Sequence, residues 1–118
     1  MESQQIGAFL KLVGIYGKTY MFKIYKLNHD FTKSKINKSK PTLYIITKEK
    51  VKDSWKYQNI LLWDKTADLS NFVLNEQVKA SLLKKGATHI CVLRRKKVSD
   101  IEKIETELSK TLNQLMVK

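Results

Sequence analysis

The sequence predicts a mixed α/β domain of the α+β type. An N-terminal β-hairpin is followed by a β-β-α-β-α unit whose small, mainly antiparallel sheet is flanked by helices. Three observations predict it. Apolar runs rich in β-branched and aromatic residues pair off around turn residues, one segment carries a helix cap and a glycine stop, and the C-terminal segment repeats its apolar residues with helical spacing.

Ile6 to Tyr16 and Thr19 to Leu27 are the first pair of strand-like runs, and Gly17-Lys18 between them suits a tight turn with positive φ at the glycine. Asn28 to Lys40 is rich in Lys, Ser, Thr and Asn and reads as a loop closed by Pro41, the only proline. Thr42 to Lys48 and Tyr57 to Trp63 form a second antiparallel pair, with the polar stretch Glu49 to Lys56 as its connection. Thr66 or Asp68 is placed to cap a helix running to about Lys85. Lys84-Lys85 suit its negative end, and Gly86 stops it. Ala87 to Leu93 is a short apolar strand. Ser99 and Glu102 have capping-box spacing, and Ile101, Ile104, Leu108, Leu112 and Leu115 then mark one face of a final helix.

Length and composition narrow the function classes. The chain has 118 residues, enough to bury a modest core, and no apolar run approaches the roughly 20 residues that cross a bilayer. A single cysteine, Cys91, excludes an internal disulfide framework and fits a reducing compartment, so the expected address is the cytoplasm, of a cell or of a virus-infected host. A membrane partner is not expected, because no segment pairs a lysine face with a large apolar face. Charge is the strongest signal: 23 Lys and Arg oppose 11 Asp and Glu, for a net +12. Residues 1–40 carry +6 and residues 76–98 another +6, whereas 41–75 carry +1 and 99–118 carry −1. Two basic blocks separated by near-neutral sequence suit a polyanion, because phosphates that meet Lys or Arg release counterions.

Within those blocks the candidate phosphate contacts are Lys33, Lys35, Lys38 and Lys40 in the loop, and Arg94, Arg95, Lys96 and Lys97 after the last strand. The latter run holds both arginines of the chain. Trp55-Lys56-Tyr57, close to Lys48, Lys50 and Lys52, interleaves aromatic rings with cations as base-stacking surfaces do. Aromatics that staple a hairpin give the same pattern. Gly14 to Thr19 ends like a phosphate loop but lacks its spacing and joins two strands, so it reads as a turn. His29 and His89 have no metal-ligand spacing with Cys91 or an acid pair. On the last helix, at about 100° per residue, Glu105 falls roughly 40° from Ile101, within the apolar stripe, while Glu102 and Glu107 point away from it. A carboxylate on a packing face needs a partner, a metal or an opening. Reaching a lysine or solvent from the stripe's edge is the simpler alternative.

Residues 41–115 resemble the GIY-YIG nuclease superfamily, which has the same β-β-α-β-α order. Lys40-Pro41-Thr42-Leu43-Tyr44-Ile45-Ile46 looks like its first motif and places Tyr44 at the motif tyrosine. Leu62-Trp63-Asp64-Lys65-Thr66 looks like its second, with Lys65, Thr66 and Leu69 fitting, Leu62 in place of a tyrosine and Asp64 in place of a glycine. The family arginine falls at Phe72 and the metal-binding glutamate at Glu105. The length of 118 residues is that of one domain, in which residues 1–40 add a hairpin and basic loop to the nuclease-like unit, and the resemblance requires an enlarged turn at residues 49–56. It also implies, for an active member, Mg²⁺ or Mn²⁺ on Glu105 and a water activated near Tyr44. With arginine and second tyrosine replaced, the expectation is a nucleic-acid-binding protein, of DNA or RNA, that does not cleave and needs no cofactor. The alternatives are a metal-dependent endonuclease with a rearranged site, adding Asp64 to the metal, and a small interaction module or inhibitor from a virus or mobile element with an acidic protein partner. A free edge in the N-terminal hairpin would also let two copies pair as a homodimer.

Overall fold

A computed structural model describes residues 4–27, 42–66, 76–93 and 100–116. Six strands and two helices are present there: β1 (Gln4–Ile6), β2 (Phe9–Val13), β3 (Thr19–Lys26), β4 (Thr42–Lys52), β5 (Trp55–Thr66), α1 (Glu76–Lys84), β6 (His89–Leu93) and α2 (Ile101–Leu115). The α+β class and the terminal hairpin are as the sequence predicts. The strands form one antiparallel sheet in the order β1-β2-β3-β6-β4-β5. The two hairpins are therefore not separate layers, because β6 enters between them and hydrogen-bonds both β3 and β4.

Two strand boundaries differ from the expectation for identifiable reasons. The N-terminal hairpin is a three-stranded meander, because Gly7 adopts φ +58 and lets Gly7-Ala8 form a two-residue turn between Ile6 and Phe9. The second difference is larger. Glu49 to Lys56 is not a connection. The strands continue through it to a two-residue turn, Asp53-Ser54, with φ 51 and 71, and Lys52 pairs directly with Trp55. A type I′ hairpin turn needs positive φ at both central residues, and Asp and Ser supply it here without a glycine. The enlarged turn at 49–56 implied by the family resemblance is thus absent.

Side-chain alternation sorts the core into two faces. Leu10, Leu12, Phe22, Leu43, Ile45, Cys91 and Leu93 point to one face, where Ile101, Ile104, Leu108 and Leu112 of α2 close over them. Tyr44, Ile46, Ile90 and Val92 point to the other, against Leu82 of α1, with Ala87 and Leu27. A register shift between Ile46 and Thr47 lets consecutive Leu61 and Leu62 both pack on this second face. The sheet curls toward α2 until its outer strands meet, where Gln58 Nε2 donates to Gln5 Oε1 at 3.2 Å. At the end of α2, Met116 bridges Ile60 on β5.

Gly86, at φ +87, ends α1 as expected, with Lys84 in the last turn. Thr66, one of the two expected caps, is the last residue of β5 and pairs with Thr42, while Asp68 and the expected first part of that helix lie outside the described residues, as does Ser99 of the capping box. Asp100 occupies the N-cap position of α2 without a side-chain hydrogen bond. The face of α2 differs from the wheel. Glu107 and Thr111 are buried, and Glu105 is only partly so. The reason is tertiary: the turn between β2 and β3 lies along that side of α2. Ile15 N–H donates to Glu107 O at 3.1 Å, Thr111 Oγ1 to Val13 O at 3.3 Å, and a Cβ on Gly14 would sit 3.3 Å from Glu107 O. The Glu107 carboxylate, 4% exposed, accepts a hydrogen bond from the Tyr20 hydroxyl.

Candidate nucleic-acid interface

β6 pairs with β4 only from Tyr44 to Thr47, so beyond Lys48 the β4–β5 hairpin continues without β6 as a two-stranded arm. The polar sequence of this arm conceals a strict period of two. Lys48 pairs with Asn59, Lys50 with Tyr57, and Lys52 with Trp55. Directly opposed residues share a face, with Cβ atoms about 5 Å apart. Lys48, Lys50, Lys52, Trp55 and Tyr57 therefore line one side of the arm, and Glu49, Val51, Lys56 and Gln58 the other. Trp55 is 77% exposed and Tyr57 41%.

The register separates two explanations of these aromatics. A stapling role would set ring against ring across the strands, whereas here each ring faces a lysine. What the pattern builds is a row of three cations beside a row of two rings. The cation row runs inward to α1: Gly86 leaves so little room that an added Cβ would lie 3.3 Å from Lys48 Nζ, and Lys84 and Lys85 precede it directly. All of these lie on the α1 side of the sheet.

The root of the arm is held by polar contacts on the opposite side. Thr47 Oγ1 donates to Gln58 Oε1 at 2.6 Å, and Gln58 Nε2 reaches both Glu49 Oε1 and Gln5 Oε1 at 3.2 Å. Glu49 N–H donates to Thr88 Oγ1 at 2.7 Å. Thr47 and Gln58 are both buried, and no buried side-chain polar atom among the described residues lacks a partner. Beside this root, burial lowers the pKa of His89, with Lys26 and Lys56 acting in the same direction and Glu49 against them.

The sequence-expected residues are thus partly gathered. Trp55 and Tyr57 share the platform, while Lys56 points to its back. Lys65 is taken up elsewhere, 3.4 Å from Glu105 Oε1, which makes Glu105 the stripe-edge carboxylate that reaches a lysine. Lys33, Lys35, Lys38, Lys40, Arg94, Arg95, Lys96 and Lys97 lie outside the described residues, as does Phe72. Lys50 and Lys52 carry more of the platform than Lys56. The alternation Lys48-Lys50-Lys52, a two-residue turn, then Trp55 and Tyr57 was the signal that could have identified them.

The nuclease pair is not assembled. Tyr44 and its cross-strand partner Asp64 are on the α1 face, where burial and then the Asp64 charge raise the tyrosine pKa. Glu105 is on α2, across the sheet, engaged by Lys65. These three residues do not fit one divalent cation, because the sheet stands between them. Among the described residues no helix is long and apolar enough to cross a membrane.

Comparison with family models, curated proteins and solved structures gave no match.

Proposed function

We propose that this chain binds nucleic acid without cleaving it, and that the outer face of the β4–β5 arm is a principal contact. The observation that carries this is the register that sets Lys50 against Tyr57 and Lys52 against Trp55 on one exposed face. Lysines neutralise phosphates and exposed rings offer stacking area to bases, so the same face meets both parts of a nucleotide. The net charge of +12 favours any polyanion, and the arm gives that attraction a defined place. A GIY-YIG-like origin for residues 41–115 belongs to the same proposal and rests on the motif residues alone. Its catalytic reading draws no support from the separation of Tyr44 and Glu105 by the sheet.

The test is a titration of labelled DNA and RNA across a salt series, with and without Mg²⁺ or Mn²⁺, followed by a denaturing gel. Binding that weakens steeply with salt while the nucleic acid stays intact is the expected result. Each lysine in phosphate contact contributes about 0.7 to the slope of log K against log salt on a single strand. Lys50→Ala with Lys52→Ala should therefore flatten it by about 1.4. Metal-dependent cleavage lost in Glu105→Gln would overturn the non-catalytic reading. Absence of binding near physiological salt would remove nucleic acid altogether and favour an acidic protein partner.

A further inference from the structure

We infer that the arm takes unpaired nucleic acid, with one base stacked on Trp55 and its neighbour on Tyr57, while Lys50 and Lys52 hold the phosphates between them. The inference rests on the nucleic-acid reading above and narrows its ligand from polyanions in general to single strands, of DNA or RNA.

Trp55 and Tyr57 are two residues apart on the same face of β5, so their side chains leave the strand about 6.7 Å apart. Stacked bases in a duplex rise about 3.4 Å per step along each strand. Rings spaced at twice that rise cannot each cover a base of a stacked helix. They match two adjacent bases only when those bases are pulled apart and a ring lies against each. A duplex cannot offer this without paying to break pairing and stacking, whereas a single strand does so readily. The cations are set at the same repeat. Lys50 and Lys52 are also two residues apart, each directly across from a ring, so one phosphate per nucleotide meets one ammonium per ring.

The arm has the dimensions of a two-stranded ribbon, which the major groove of a duplex also admits. That rival makes a different demand on the rings. In a groove the bases are seen edge-on, so neither Trp55 nor Tyr57 finds a base face. Stacking would contribute nothing, and the lysines would carry the affinity. The aromatic exposure at Trp55 is the feature the duplex mode leaves unused.

The test measures anisotropy of labelled 12-nucleotide oligothymidylate, oligouridylate and a 12-base-pair duplex against the full chain, at low and at physiological salt. The variants are Trp55→Ala, Tyr57→Ala, Trp55→Phe and Lys52→Ala. Both rings are exposed, so circular dichroism should show each variant folded as the parent. The single strands are expected to bind at least about tenfold more tightly than the duplex. Trp55→Ala and Tyr57→Ala should each weaken single-strand binding roughly 5- to 150-fold, the range found when a stacking ring is removed. They should leave duplex binding unchanged, and Trp55→Phe should recover most of the loss. Lys52→Ala should weaken both ligands, since its role is charge. In a Trp63→Phe background Trp55 is the only tryptophan, and single strands alone should quench its emission. Equal affinity for duplex and single strand, or single-strand binding indifferent to Trp55→Ala, overturns the inference while leaving nucleic-acid binding intact. Lack of salt-sensitive binding to any of the three ligands overturns the parent reading and this one with it.

Discussion

Deleting one oxygen atom, in Tyr20→Phe, tests how α2 is docked. The Tyr20 hydroxyl donates to Glu107 Oε2, and both residues are buried, at 7% and 4% exposure. Phenylalanine keeps the ring against the core but leaves a buried carboxylate without this donor. A hydrogen bond to a charged group contributes about 1.5–3 kcal/mol, and losing one partner exposes the desolvation cost of the other. For a domain of this length the unfolding entropy is about 0.25 kcal/mol per degree, so a loss of about 2 kcal/mol lowers Tm by roughly 8 °C. Glu107→Gln keeps an acceptor and should cost only about half as much. Replacing both partners, as in Tyr20→Phe with Glu107→Leu, should cost less than the two single changes added, because no buried polar atom is left unpaired.

The same pair sets an alkaline limit. Burial, then the bond to Glu107, then the charges of Glu107 and Asp100 push the Tyr20 phenol up to about 12. A phenol is neutral when protonated. A folded pKa above the unfolded value of about 10 means that the stabilisation is complete below pH 10 and lost as pH rises toward 12. Urea unfolding followed by circular dichroism at pH 7 and 11 measures both effects. If Tyr20→Phe unfolds within 0.5 kcal/mol of the parent at pH 7, in the range of an ordinary surface substitution, Glu107 is solvated and the docking of α2 on the β2–β3 turn is wrong.

Three further outcomes are expected. Asp53→Asn combined with Ser54→Gly should raise Tm by about 4 °C, since positive φ costs an L residue about 1 kcal/mol and Asn-Gly relieves it. A thermal melt that does not move upward would contradict the turn geometry. Burial pushes the Cys91 thiol up to about 12, against the Thr47 hydroxyl, so it stays protonated at pH 8 and is shielded from reagents. Its reaction with an aromatic disulfide reagent should therefore proceed only at the rate of unfolding, and rapid release of the aromatic thiolate by the native protein would refute its burial. Glu105→Gln removes a half-exposed ion pair with Lys65 and should change stability by less than about 1 kcal/mol in the same urea assay. A larger loss would mean that the carboxylate has a second role.

What the sequence makes legible here is whatever burial alone dictates. α2 follows from the repeat of Ile101, Ile104, Leu108 and Leu112, and the end of α1 from Gly86, because apolar period and glycine conformation act locally. The core strands β4 and β6 follow from short apolar runs. Glu107 is different. The wheel places it off the stripe because its burial is decided by the β2–β3 turn, which meets α2 only after about 90 residues of chain have folded between them. The face of Tyr44 is equally hidden. Leu43 and Ile45 alternate with Tyr44 and Ile46, both sets are apolar, and alternation alone does not say which set α2 covers. The arm is missed for the opposite reason. Its strands are exposed and polar, so their evidence is cross-strand register and not hydrophobicity, and the non-glycine turn at Asp53-Ser54 removes the usual marker.

The fixed register of the arm bears on function. A two-stranded ribbon is marginally stable by itself, and exposed aromatic and lysine side chains on a floppy ribbon would have to be ordered when a ligand binds. The buried amide of Gln58 removes much of this cost in advance. Its bonds to Thr47, Glu49 and Gln5 tie both strands of the arm to each other and to β1, the far edge of the sheet. An apolar residue at position 58 would bury area equally well but would not fix one register, whereas a satisfied polar cluster penalises every register that leaves one of its atoms unpaired. Because a one-residue slip would turn Trp55 and Tyr57 away from Lys50 and Lys52, fixing the register also fixes the platform. On this reading curling the sheet until β1 meets β5 is what holds the rings and cations in phase with one another.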